Sequence, residues 1–305
     1  MSIPYFDAHC DTAVPVHFLG GSLLKNAFHL DLERLSAYAP RAQVFALCVN
    51  HGEDMEAATE AVLDTLLAEF SRHSDRVRLC RSAADIRTAA REGKCAALIS
   101  VEGMEKLGCS MEKLRAAYEK GVRIVHLTWN HDNALSGAAM DSGAGLTAEG
   151  RAFVPAAQRM GAVLDLSHLS ERGFWDVLER IEKPVLAGHS NARALCDVPR
   201  NLTDAQFRAL VQCSGAVGLN LYPPFLGEKA DVESVLRHAE HFLALGGEKT
   251  LCLGGDLDGV DCLPEGITGV ESMETLYIAM ARRFGEKTAE DIFYNNLKNF
   301  MERVL

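Results

Sequence analysis

The chain has 305 residues, enough for one large α/β domain that buries about three quarters of its unfolded surface without staples. Its 48% hydrophobic and 24% charged residues are ordinary globular composition, and a net charge of −11 argues against a nucleic-acid or anionic-membrane partner. Nine cysteines scattered from Cys10 to Cys262 form no C-x-x-C pair and read as reduced thiols, "MSIPYFDAHC" is no signal peptide, and no apolar run nears the ~18 residues of a membrane span, so a cytoplasmic protein with one domain over 1–305 is expected.

Eight short apolar runs follow one another along the chain. They are "PYFDAH" (4–9), "QVFALCV" (43–49), "CAALISV" (95–101), "RIVHLTW" (123–129), "GAVLDLS" (161–167), "KPVLAGH" (183–189), "GAVGLNL" (215–221) and "TLCLGG" (250–255). Each is nearly continuous in apolar residues, as strands of a parallel sheet covered on both faces are. Helical spacing appears between them. Segment 54–73 aligns Met55, Ala58, Val62, Leu66 and Phe70 on one face, 170–181 opens with Ser170 as an N-cap, and 203–215 opens with Thr203 and Gln206 spaced as a capping box. Segments 230–247, 271–284 and 288–304 complete the set. Eight strands alternating with helices predict a (β/α)8 TIM-type barrel. A doubly wound open sheet is the competitor, but no G-x-G-x-x-G follows the first strand.

A barrel of this kind works at the C-terminal ends of its strands. The first strand ends in His9 and Asp11, two residues apart and so on one face, with Cys10 on the other. The third ends in Glu102, the fourth in "LTWNHDN" with Asn130 and His131, the fifth in His168 and the sixth in His189. The seventh ends in Asn220 and Tyr222, and the eighth in Asp256 and Asp258. One strand-end histidine is ordinary. Five such ends brought to one mouth repel or titrate unless a cation organises them, and mixed imidazole and carboxylate favours zinc or a similar divalent ion.

His9, Asp11, Glu102, His168 and His189 are too many ligands for a single catalytic zinc, which takes three and a water. They suit two ions, with Glu102 as the bridge, His9 and Asp11 on one ion and His168 and His189 on the other. A bridging water would be the nucleophile. Two divalent ions carry four positive charges. Asp11, Glu102 and a hydroxide cancel three, leaving one to stabilise an oxyanion. Asp256 is the remaining acid, placed to shuttle a proton to the leaving group. Asp7 and Asp165, inside otherwise apolar strands, are expected to orient neighbouring groups, and Asp258 to shape its loop.

The ordered stretches "FDAHCDT", "SVEG", "GVRIVHLTWNHDN", "GAVLDLSHLS", "PVLAGHSNARAL", "RNLTDAQ", "GLNLY" and "GGDLDGVD" resemble the membrane (renal) dipeptidase family of zinc metallopeptidases over nearly the whole chain. The resemblance implies a barrel with two zinc ions that hydrolyses dipeptides and tolerates a D-residue on the C-terminal side. Carried over by position, it makes His9 and Asp11 ligands of one zinc, Glu102 the bridge, His168 and His189 ligands of the other, and Asp256 the catalytic acid/base. Arg200 would bind the substrate's terminal carboxylate and Tyr222 would line the pocket. The animal enzymes carry a histidine directly after the strand-four "LT". Trp129 stands there in this chain, and His131, two positions on, is the candidate replacement. The animal enzymes are secreted and lipid-anchored; this chain is expected to be a cytoplasmic microbial-type member, with a dipeptide as its partner and a second copy in a homodimer left open.

Two alternatives differ in class. Deaminases, lactonases, phosphotriesterases and N-acyl amino acid deacylases on barrels commonly start with His-x-His and bridge through lysine, unlike His9-x-Asp11 and Glu102. A non-catalytic relative would be marked by a lost ligand, and none of the five is lost.

Overall fold

Apolar runs that need cover on both faces find it here by closing on themselves. The computed structural model describes residues 2–50 and 54–305. Its strands are β1 (Tyr5–Cys10), β2 (Arg41–Leu47), β3 (Val77–Leu79), β4 (Cys95–Glu102), β5 (Val122–His126), β6 (Val163–Asp165), β7 (Leu186–Ala187), β8 (Ala216–Leu219) and β9 (Leu251–Leu253). All pair in parallel. The ring runs β1–β2–β4–β5–β6–β7–β8–β9 and back to β1, an eight-stranded (β/α)8 barrel. All eight apolar runs became its staves. The extra strand β3 borders only Cys95–Ala97 of β4, on the edge that β5 takes over from Ile99 onward.

Alternation sorts the side chains of β4. Cys95, Ala97, Ile99 and Val101 pack toward the helices, while Ala96 and Leu98 join the interior cluster. Ser100 and Glu102 extend that inward row to the strand's end. β1 breaks the alternation. Tyr5, Phe6 and Asp7 align with Arg41, Ala42 and Gln43, but Cys10 aligns with Phe45, so three steps of β1 span two of β2. This bulge reverses the parity. Phe6 and Ala8 lie inside, Cys10 joins Tyr5 in the sheet–helix layer, and His9 and Asp11 turn inward.

The interior is narrow in side-chain volume, with Ala8, Ala42, Ala96, Ala216 and Cys252 among its members. Leu297, Phe300, Met301 and Val304 of the C-terminal segment belong to the same cluster. Sequence spacing predicts one helix over 288–304. The structure instead has Glu286–Glu290, a π-helical turn at Asp291–Asn295, and Asn296–Val304. The wider turn brings Asn296 inward, where its amide donates to the carbonyls of Glu248 and Leu251 beside β9.

The other expected helices form at Met55–Arg72, Glu171–Leu178, Asp204–Gln212, Val232–Ala244 and Met273–Phe284. The Thr203–Gln206 capping box is present. A helix at Ala148–Met160 carries Pro155 in its interior, which hides it from a spacing argument. Among the described residues, no helix is long and apolar enough to cross a membrane.

Candidate metal centre

Two buried aspartates bend the strand ends that carry the histidines. Asp7 accepts from the backbone N–H of His9 at 2.9 Å and of Gly255 at 3.0 and 2.9 Å. Asp165 does the same with Ser167 at 2.9 Å and Gly188 at 3.0 and 3.1 Å. Each carboxylate thereby fastens its own strand end to a neighbour. Glycine is needed at both partners: a Cβ on Gly188 would sit 2.3 Å from Asp165 Oδ2, and one on Gly255 2.8 Å from Asp7 Oδ2. The orienting role expected of these two acids is the one their hydrogen bonds fulfil.

The five strand-end residues converge although 180 positions separate the first from the last. Glu102 is at their centre, and its two oxygens face different groups. Oε2 lies 3.5 Å from His9 Nε2, which is itself 3.3 Å from Asp11 Oδ2 and 3.8 Å from Asp256 Oδ1. Oε1 lies 2.7 Å from His168 Nε2 and 3.3 Å from His189 Nε2, and those two nitrogens are 2.9 Å apart. His168 is held in a left-handed backbone conformation (φ 68°), and Asn130 Oδ1 lies 2.8 Å from its Nδ1. Asn220 donates to Asp256 Oδ2 at 3.0 Å, leaving Oδ1 toward His9.

Charge and burial are in conflict throughout. Burial works against the charged form of Glu102, yet the flanking His9 and His168 hold its carboxyl well below the usual range. Burial, reinforced by the Glu102 charge, pushes Asp11 up to about 7, and burial likewise raises Asp256. Burial opposes a charge on His9, but Glu102 and Asp11 override it and raise its pKa. Burial and the Arg200 charge bring His168 down to about 3, and burial, helped by His9, depresses His189.

The donor set fits divalent ions. His9 Nδ1 and Nε2, Asp11 Oδ1, both nitrogens of His126 and His189 Nδ1 are buried without a hydrogen-bond partner among the described residues. At about 1–3 kcal/mol each, such atoms together rival the 5–15 kcal/mol stability of a whole domain. Nitrogen and carboxylate lone pairs gathered this way are what zinc-like ions take. Two sets of donors each lie within 4.8 Å of one another, His9–Glu102–His189 and His9–Asp11–Asp256.

The cluster opens into a cavity of about 610 Å³ whose lining includes Asp11, Glu102, Trp129, Asn130, His168, Arg200, Tyr222, Phe225 and Asp256. Arg200 is only 4% exposed and makes no ion pair with any described residue. Its guanidinium lies 5.5 Å from the Phe225 ring centroid, and burial brings its pKa down to about 10. Tyr222 stands edge-on to the same ring. The structure does not bring His131 to this site. Its side chain is 78% exposed, 3.8 Å from Asp141, and outside the cavity lining. Trp129 occupies the wall instead, its ring 6.3 Å from that of His168. Asp258 accepts from the Thr12 hydroxyl and the His29 N–H, which is the loop role expected of it.

Two residues near the ligands were not singled out from sequence. Cys48 lines the cavity within 4.8 Å of Asp11 and Glu102 donor atoms. His126, at the end of β5, is fully buried beside His9 and His189. Strand parity is the signal that marks His126: Ile124, His126, Thr128 and Asn130 share one face, and His131 falls off it.

A family model described as membrane dipeptidase (peptidase family M19) matches residues 1–304. A metallopeptidase from Rhodobacter sphaeroides, whose crystal structure holds a phosphinate mimic of the dipeptide L-Ala-D-Ala, superposes with a TM-score of 0.90 at 28% identity, covering 100% of both chains. An uncharacterised Klebsiella pneumoniae protein from the pqqA 5' region is 32% identical over 261 residues, 80% of this chain and 94% of that one. Dipeptidase tcpJ of Claviceps purpurea is 32% identical over 274 residues, 84% of this chain and 64% of the relative.

Proposed function

This chain belongs to the membrane dipeptidase family and is a metallodipeptidase, and from that premise we propose that it cuts dipeptides at a two-zinc centre bridged by Glu102. The observation that carries the reading is the division of Glu102, with Oε2 toward His9 and Oε1 toward His168 and His189. His9 and Asp11 would hold one ion, and His168 and His189 the other. Bound there, two divalent ions polarise a carbonyl and acidify a water.

The remaining work falls to the protein's own side chains. Asp256 Oδ1, turned toward the cluster while Asn220 holds Oδ2, takes the proton of the attacking water and returns it to the leaving amine. The water oxygen bonds to the carbonyl carbon, the C–N bond breaks, and the amine leaves neutral. Arg200, buried and without an ion-pair partner among the described residues, forks the dipeptide's terminal carboxylate through two parallel hydrogen bonds. A longer peptide would put an uncharged amide there. Tyr222, Phe225 and Trp129 wall the cavity around the two residues of the substrate. A D-residue on the C-terminal side is accepted, as the mimic in the Rhodobacter sphaeroides relative suggests. The proton-moving role considered for His131 is left to Asp256, because His131 points to solvent.

Elemental analysis of protein purified without chelators should find about two metal ions per chain. A dipeptide panel including L-Ala-D-Ala, run beside dipeptide amides and N-acyl amino acids, should show turnover of the free dipeptides alone. One ion in fully active enzyme, or equal cleavage of the amides, would sink this reading.

A further inference from the structure

His126 is the register partner of Glu102 on β4 and of Asp165 on β6. It is fully buried, and neither ring nitrogen has a hydrogen-bond partner among the described residues. Its Nε2 stops 3.4 Å from Asp165 Oδ2. The rings of His9, His189 and His168 lie 5.4, 5.6 and 6.4 Å away, centroid to centroid. His126 is not among the residues that line the cavity. Ile124, two residues earlier on the same face, belongs to the apolar interior, where an aliphatic side chain would fit without idle polar atoms. An imidazole kept in such a place at the cost of two hydrogen bonds needs a partner that only the loaded site supplies.

His189 offers one. Its Nε2 faces Glu102 Oε1 and His168, leaving Nδ1 buried without a partner. One ring nitrogen each of His126 and His189 and a carboxylate oxygen of Asp165 lie within 4.8 Å of one another. A histidine that ligates a metal through one nitrogen donates the proton on the other, and that second bond fixes its tautomer and ring angle. Asp165 Oδ2 faces His126 Nε2, which leaves the other ring nitrogen of His126 free to accept.

We propose that His126 is a positioning residue for the His189 side of the metal centre, accepting the His189 Nδ1 proton while its own N–H donates to Asp165. The inference rests on the two-metal reading above. Losing such a partner costs about 10–100-fold in metal affinity.

The test is a zinc titration of metal-free protein against a chromophoric chelator, comparing wild type with His126→Leu and His126→Gln. Wild type should take two ions. His126→Leu should weaken one site by about 10–100-fold and leave the other unchanged, His126→Gln should recover part of the loss, and KM at saturating zinc should not move. Two sites as tight in His126→Leu as in wild type would overturn the proposal. So would equal weakening of both sites with a lowered Tm in both variants, the mark of a packing role. A wild type that takes fewer than two ions overturns the two-metal reading instead, before any variant is made.

Discussion

The two sides of Glu102 are built from different chemistry. On the Oε2 side one imidazole, His9, stands among the carboxylates of Asp11 and Asp256. On the Oε1 side two imidazoles, His168 and His189, stand together, both depressed by burial and further by the Arg200 charge. Without a cation the first side relieves its repulsion by holding protons: Asp11 rises to about 7, and His9 is raised as well. The second side stays neutral, because His168 is protonated only near 3. One half is therefore an acid cluster that ions must compete with protons to enter, and the other is a set of lone pairs already free. Two unlike sets of donors meet at one barrel mouth because some strands end in carboxylate and others in histidine.

The harshest way to break this comparison is to remove the residue that joins the halves. Glu102→Gln should cost about 10⁴-fold or more in kcat/KM, since ~5.5 kcal/mol is a modest share of what a bridged pair supplies. Elemental analysis should show the second ion lost. Asp256→Asn touches the acid side alone. It should keep both ions and lower kcat by about 10³-fold, within the range for a lost proton transfer; loss of an ion instead would make Asp256 a ligand.

Arg200→Ala tests the other side of the cavity. A severed carboxylate pair in a buried pocket costs ~2–5 kcal/mol, so kcat/KM for dipeptides should fall about 30-fold or more, with Arg200→Lys restoring part. Dipeptide amides should respond little to either change.

The smallest effect sharpens the contrast most. Asp11, with its pKa raised to about 7, is protonated in the metal-free protein below that pH and must lose the proton to bind an ion. His168, lowered to about 3, need not. Between pH 5 and 7, affinity on the His9–Asp11 side should fall by about tenfold per pH unit for each proton displaced, and so by about a hundredfold where Asp11 and His9 both hold one, while affinity on the His168–His189 side stays nearly flat. Chelator-competition titrations at several pH values would show it, and parallel slopes for the two ions would remove the distinction.

The sequence exposed most of this site because each candidate ligand closes an apolar run, where a polar residue has no packing reason to be. His9, Asp11, Glu102, His168, His189 and Asp256 all stand at such ends, and the structure gathers them. His126 escaped because it is surrounded by apolar neighbours in "RIVHLTW" and looks like core, whereas the more polar "NHDN" drew attention to His131. The facing of the two is a matter of parity, and parity is readable only once the strand's inner side is known.

That division holds across the molecule. Periodicity and the repeated alternation of runs with helices sufficed for eight strands and a closed barrel, because both are local consequences of burial on two faces. The direction in which His9 and Asp11 point was not local. Regular alternation from Phe6 and Ala8 would have turned them outward. A bulge against β2, held by Asp7 through the N–H groups of His9 and Gly255, reversed that, and Gly255 is 246 residues beyond His9. The assignment of Glu102's two oxygens to two groups, the burial of Arg200 without an ion-pair partner, and the exile of His131 to solvent were likewise decided by tertiary structure. Each depends on distances between residues far apart in the chain, which closure of the barrel alone sets.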